Sequence, residues 1–314
     1  MRILFAGTAE IAVPTLKALS EHFEIGAVLT NTDKPGARGK ALVPSAVKTE
    51  ALRLGLNVLQ FDHLGSEARA SVSAYGCDTL LCFAYGRLFG PKFLSLFSKE
   101  ALNIHPSLLP LLRGPSPIQG AILSQAEKTG ISIQRIATEM DTGDILDSLS
   151  FELKGDETTG ELTEKVSHLC AGLALQALRG LAQGEAVFKP QTGEPTYTSM
   201  ITAQMSVLDF SKTAKELHAQ IRSMHPWPKA RTTYDGQTLL LTKVSGLLSE
   251  AGSDAVPDSV EVGTVVAKDK QKGLGIATAE GLLWVDRLQL EKRKEMDWRS
   301  FLNGNQAFLK AKLG

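Results

Sequence analysis

The opening of the chain constrains the fold most. Residues 2–6 form an apolar run of strand length, Gly7-Thr8 makes a turn, 9–19 carries helical spacing, and 25–30 is a second apolar run. Strand, helix and strand in that order predict a parallel pair joined by a right-handed crossover. The alternation continues. Residues 58–59, 79–83, 101–105, 130–137 and 145–153 read as strands, with helices at 45–54, 66–75 and 117–124 and a short helix opened by Pro91. Ser45 suits the cap of the helix that follows it. The expected class is α/β, an open doubly wound, mostly parallel sheet, whose ligands bind beyond the carboxyl ends of the strands. A dinucleotide site would need Gly-x-Gly-x-x-Gly at the first turn. Here Thr8, Ala9 and Glu10 follow Gly7, which argues against a nicotinamide enzyme.

The pattern changes towards the C-terminus. Residues 158–182 have long helical periodicity, with Leu162, Val166, Leu169, Leu173, Leu175 and Leu178 on one side. Residues 185–208 contain Pro190 and Pro195 without a sustained period and read as a linker. After a helix at 212–221, residues 231–289 break into short strands with turn signals, Asp235-Gly236 among them, and 297–303 is a closing helix. That sequence predicts a small antiparallel barrel. The expected division is 1–184, a linker 185–208, and 209–314.

Composition excludes several classes. The 314 residues carry a formal net charge of zero, so no global field draws in a polyanion; such a contact must come from local patches. The cysteines, Cys77, Cys82 and Cys170, lack metal-like spacing and read as buried free thiols, and no metal is expected. The N-terminus is too short in apolar length for a signal peptide, and no run approaches a membrane span. The expectation is a cytoplasmic monomer. Local basic patches occur at Lys34, Arg38, Lys40, Lys48 and Arg53, at Lys268, Lys270 and Lys272, and at Lys292, Arg293 and Lys294. Pro226-Trp227-Pro228 reads as a rigid packing element rather than a contact.

Chemistry concentrates at Asn103-Ile104-His105-Pro106-Ser107-Leu108-Leu109-Pro110. Asn103 and His105 are two apart, so on a strand they share a face, and Pro106 ends the strand there. An amide can donate to an oxygen gaining negative charge, and an imidazole can accept a proton from an amine. Met140-Asp141-Thr142-Gly143-Asp144 offers a carboxylate that would raise the His105 pKa and orient its ring. No Ser or Cys nucleophile with a paired base is evident, which favours direct acyl transfer to an amine. On spacing alone, a hydrogen-bonded turn is the commoner meaning of Asn-x-His. An Asp-Thr-Gly loop by itself also occurs in aspartic proteases, which need two copies in all-β surroundings.

Those segments, with Arg113-Gly114, Phe5-Ala6-Gly7-Thr8, the basic loop Asp33-Lys34-Pro35-Gly36-Ala37-Arg38-Gly39-Lys40 and Pro226-Trp227-Pro228, resemble the folate-dependent formyltransferases over nearly the whole chain. The resemblance implies a Rossmann-like catalytic domain over 1–184 and an OB-like, tRNA-binding barrel over 209–314. It implies 10-formyltetrahydrofolate as formyl donor and initiator methionyl-tRNA as acceptor. By family position, Asn103, His105 and Asp141 would be catalytic, Ser107, Leu108, Leu109 and Pro110 would line the folate, and Arg38 and Lys40 would reach the tRNA. The alternative acceptor is an amino-sugar nucleotide, whose formyltransferases can also carry a second domain.

Overall fold

The computed structural model describes residues 1–36, 41–245, 256 and 259–314. Arg38 and Lys40 lie outside the described residues. The chain divides into two compact units. The first comprises Met1–Pro117, Thr129–Phe151 and Thr163–Thr198; the second comprises Ile118–Lys128, Glu152–Leu162 and Ser199–Gly314.

The first unit begins with β1 (Arg2–Gly7), α1 (Val13–Ser20) and β2 (Glu24–Thr30). A two-strand hairpin, β3 (Lys34–Pro35) with β4 (Leu42–Val43), stands within the stretch expected to be loop. Then come α2 (Ala46–Arg53), β5 (Val58–Gln60), α3 (Ser66–Ser73), β6 (Thr79–Phe83), α4 (Pro91–Leu94) and β7 (Glu100–His105). Ser45 caps α2 by accepting from the Lys48 amide. The chain passes through α5 (Pro117–Leu123), which from Ile118 belongs to the second unit, before β8 (Lys128–Arg135), β9 (Ile145–Glu152) and α6 (Thr159–Gln183), the last within the first unit from Thr163 on.

The sheet order is β5-β2-β1-β6-β7-β8-β9. Strands β5, β2, β1, β6 and β7 pair in parallel, and β8 runs antiparallel to β7. Strands β1, β2 and β6 are buried almost throughout, as expected of a parallel sheet covered on both faces. One core cluster joins Leu4, Ala27, Leu29, Leu80, Tyr85 and Phe93. The buried stripe of α6 differs from the expected one. Leu162, Val166, Cys170, Leu173, Ala174, Ala177 and Leu178 are buried, whereas Leu169 and Leu175 are only half-buried. Small residues take the innermost positions, which a reading of large apolar side chains overlooks. All three cysteines are free and buried.

In the second unit, α7 (Ala214–Ser223) starts on a capping box in which Thr213 and Glu216 satisfy each other's backbone amides. Strands β10 (Ala230–Tyr234), β11 (Gln237–Val244), β12 (Val265–Asp269), β13 (Gly273–Ala277) and β14 (Leu282–Leu290) form an antiparallel sheet in the order β10-β11-β14-β13-β12. The short β15 (Met296–Asp297) adds to β14, and α8 (Trp298–Gly304) follows with Asp297 as its cap. Asp235 and Gly236 both have positive φ (48° and 70°), the backbone a two-residue hairpin turn requires. The chain end ties both edges of the sheet: Thr264 bridges Lys312 beside β12, and the Gly314 amide donates to Thr233 in β10. An apolar core including Leu217, Leu239, Leu241, Val285, Phe301 and Phe308 fills the interior. Trp227 is 62% exposed, so it is not the packing element its flanking prolines suggest.

The stretch read as a linker is divided between the units at Thr198/Ser199. Its first part is bonded into the first unit. The Arg113 amide donates to Thr196 O (2.9 Å) and the Thr198 amide to Arg113 O (2.7 Å), while Ile145 and Lys189 exchange both backbone bonds. Among the described residues, no helix is long and apolar enough to cross a membrane.

Candidate active site

The register of β7 against its neighbours builds the site. Asn103 lies opposite Gln134 and His105 opposite Ser132 across the antiparallel β7–β8 pair, and Cys82 lies beside Asn103 on β6. Directly paired residues share a face, so Asn103, His105, Ser132 and Gln134 are presented together. Ser132 and Gln134 were not singled out in the sequence, because their alternation in Gly-Ile-Ser-Ile-Gln-Arg gives the face but not its partner strand.

His105 is buried, 4% exposed. Its Nε2 lies 2.9 Å from Leu112 O, and a carbonyl only accepts, so Nε2 carries the proton. Nδ1 lies 3.5 Å from Asp141 Oδ2 and is the nitrogen left for chemistry. Burial pushes the His105 pKa below its ordinary value, with the Asp141 charge and the Leu112 carbonyl opposing only in part. The aspartate's charge acts in the expected direction, raising the pKa, but desolvation, which the sequence does not show, outweighs it.

Asp141 reaches His105 from a loop with unusual backbone. Its φ is +57°, and Gly143 sits so close to Arg135 O that a Cβ there would lie 1.8 Å from it. Only glycine permits that approach. Oδ2 accepts from the Gly114 amide (2.8 Å) and Oδ1 from Gln134 Nε2 (2.9 Å). Asp144, the second acid of that loop, lies 3.6 Å from Arg135, which also makes a bidentate pair with Glu100. It anchors the loop and is not part of the His105 pair.

Asn103 is half-buried, and its side-chain amide has no hydrogen-bond partner among the described residues. It is the open donor of a cluster whose other polar groups are engaged. Ser107, by contrast, is fully buried and donates to Leu111 O (2.5 Å). Ser132 Oγ donates to Ser107 O and accepts from the Leu109 amide. Leu109 and Pro110 are buried, and half-buried Leu108 lies against Gly130, where a Cβ would be 2.4 Å from its Cδ2. Of the four residues expected to line a folate, Leu108 alone keeps appreciable exposure; Ser107 and Leu109 hold the shape of the turn. Among the described residues, no group of His, Cys, Asp or Glu is arranged to hold a metal.

An amide donor, a neutral imidazole and a carboxylate on one sheet face suit transfer of a small acyl group. Residues 1–178 match the model of the formyl transferase family and residues 200–306 that of its C-terminal domain. The chain belongs to the formyl transferase family. Methionyl-tRNA formyltransferases from Borrelia turicatae and Lachnospira eligens are 36% and 37% identical to it, each over 98% of this chain and 97% of the relative. That of Treponema denticola is 35% identical over 98% of both chains. Among solved structures, the sugar 3N-formyl transferase WlaRD superposes with a TM-score of 0.65 at 18% identity, covering 94% of this chain and 99% of that one. Methionyl-tRNA formyltransferase from Clostridium thermocellum superposes with a TM-score of 0.55 at 17% identity, covering 79% and 94%. At such identities these two likenesses establish the fold only.

Proposed function

We propose that the chain transfers the formyl group of 10-formyltetrahydrofolate to the α-amine of methionine carried by initiator methionyl-tRNA. One observation carries this reading: similarity to methionyl-tRNA formyltransferases at 35–37% identity over nearly their full length. The local chemistry agrees, since the unpartnered Asn103 amide shares a face with the His105–Asp141 pair. All three groups come from one chain, and the reading takes the enzyme as a cytoplasmic monomer.

In this mechanism the amine attacks the formyl carbon, and the carbonyl electron pair moves onto oxygen. Asn103 Nδ2 donates to that oxygen as its charge develops. His105 is neutral at physiological pH and accepts the amine proton at Nδ1, because Nε2 is committed to Leu112. Asp141 faces the same nitrogen and stabilises the imidazolium. Collapse breaks the bond from formyl carbon to folate N10, and the proton passes to that departing nitrogen. The folate lies against the Leu108 side of the 107–110 turn, while Ser107, Leu109 and Pro110 act by fixing the turn. Arg38 and Lys40 meet phosphates of the acceptor arm.

The test is formyl transfer from 10-formyltetrahydrofolate to charged tRNA, against a UDP-amino-sugar, at several salt concentrations. Activity on the tRNA should fall steeply with salt, and Arg38→Ala should flatten the logarithmic slope by about one while leaving the folate KM unchanged. Transfer to the sugar but not the tRNA would replace this reading with an amino-sugar enzyme.

A further inference from the structure

Gln191 lies in the stretch that the sequence presents as linker, yet it sits against the catalytic loop. Its Nε2 is 2.8 Å from both Asp141 O and Gly143 O and 3.2 Å from Gln134 Oε1. Its Oε1 accepts from Arg113 Nη2 (2.6 Å) and Nε (3.2 Å). Arginine cannot accept, so the Arg113 end fixes which way the Gln191 amide points. Nε2 must then face the carbonyls and Gln134 Oε1. Asp141 Oδ1, which as a carboxylate oxygen only accepts, fixes Gln134: its Nε2 donates there at 2.9 Å, which leaves its Oε1 toward Gln191. Both amides between Arg113 and Asp141 thus have one orientation, set by the guanidinium at one end and the carboxylate at the other.

The same stretch also secures the other half of the pair. Leu112, whose carbonyl holds His105 Nε2, donates its amide to Thr196 Oγ1 (2.8 Å). Gly114, whose amide holds Asp141 Oδ2, has φ +108° and lies so near Thr198 O that a Cβ would be 2.5 Å away. Arg113 stands between them, its N–H and C=O bonded to Thr196 and Thr198. Residues 191–198 therefore touch the backbone behind both members of the pair.

We infer that Gln191 is a positioning residue for formyl transfer: by fixing the Gln134 amide and the Asp141–Gly143 backbone, it keeps the Asp141 carboxylate aimed at His105 Nδ1. The kinetic consequence rests on the function proposed above; the geometric one does not. The titratable groups facing Asp141 are His105 and the Cys82 thiol, whose pKa burial pushes up to about 12, so His105 alone reports near neutrality.

The experiment uses the full chain and the near-isosteric Gln191→Met, with two readouts. Turnover should drop roughly 10–100-fold, as for a reacting group misplaced by about an ångström, with the folate KM little changed. The His105 imidazole, followed by NMR without substrate, should titrate lower than in the parent, because the raising effect of a displaced Asp141 weakens while burial remains. Parental turnover with an unmoved titration overturns the inference. If Gln191→Met does not fold, Gln191→Glu replaces it: it still accepts from Arg113 but cannot donate, so turnover should fall, and parental turnover would refute positioning. Gln134→Met should also be non-additive with Gln191→Met, since one chain is cut twice; additive losses count against it. If the parent itself forms no formyl-methionyl-tRNA, the proposed function fails, while the His105 titration still decides the positioning role.

Discussion

Two buried histidines, one in each unit, show what would separate a reacting group, the role proposed for His105, from a structural one. His105 and His218 are 4% and 7% exposed, and burial lowers both pKa values. Their neighbours have opposite signs. His105 faces the Asp141 carboxylate, which opposes the lowering. His218 accepts from the Arg222 guanidinium through Nδ1 (3.1 Å), a second cause that carries its pKa down to about 4. A proton arriving at His105 Nδ1 meets an anion. One arriving at His218 would displace a hydrogen bond and meet a cation. Burial makes either histidine neutral; only a carboxylate neighbour lets it take a proton during a reaction. Arg222, itself buried and donating to Glu157 O, belongs to the framework holding α7 against the 152–162 segment of the same unit.

The largest expected effect breaks this comparison if the roles are reversed. His105→Ala should cost orders of magnitude in turnover, and Asn103→Ala about 10²–10³-fold as the loss of an oxyanion donor. His218→Gln, which retains an acceptor for Arg222, should leave turnover within a few-fold of the parent. Steady-state kinetics at saturating 10-formyltetrahydrofolate and charged tRNA decide it. A His218 variant as impaired as His105→Ala would remove the distinction.

Acid stability comes next. The folded pKa of His218 is about 4, against an ordinary 6.5 in the unfolded chain, so between those values the unfolded state binds the extra proton. Its stabilising effect is complete above about pH 6.5 and is lost as pH falls toward 4. The linked loss reaches roughly 3 kcal/mol at pH 4. Denaturant unfolding of parent and His218→Gln between pH 7.5 and 4 should give curves that converge as the pH drops. Parallel curves would mean that folding does not lower the His218 pKa.

These contrasts also explain what the sequence could and could not disclose. The doubly wound sheet was legible because β1, β2 and β6 are unbroken apolar runs between helical segments. Asn103 and His105 were legible because a two-residue spacing ending at Pro106 puts both on one face. The antiparallel second unit was announced by its turns, Asp235-Gly236 among them. Gln134 was missed because antiparallel register, which sets it opposite Asn103, leaves no mark in a single strand. Gln191 was missed for a different reason. Its stretch is held by isolated backbone bonds to residues some 80 positions away, such as Thr198 to Arg113, and such bonds impose no period. A truncation at residue 183 would therefore strip Gln191, Thr196 and Thr198 from the site as well as remove the antiparallel sheet of the second unit. The lowering of the His105 pKa by desolvation was not legible because burial is a tertiary quantity.

The smallest expected effect is the sharpest, because it reverses sign between the two sites. Asp141→Asn removes the charge that raises His105 and leaves burial unopposed by it, so the imidazole should titrate lower than in the parent. Arg222→Met removes a charge that lowers His218, so that imidazole should titrate higher, still short of 6.5 because burial is the larger cause. Each substitution nearly preserves side-chain volume and alters one neighbour, and the carbon-bound imidazole protons report the folded state directly. Arg222→Met also leaves Glu157 O without that donor, so some loss of stability will accompany the shift. It does not affect the sign, which is read below the unfolding transition. If both histidines move in the same direction, neighbouring charge does not distinguish them. If His105 stays in place when Asp141 is neutralised, the 3.5 Å approach between the two does not couple them, and Asp141 cannot act as the partner of the base.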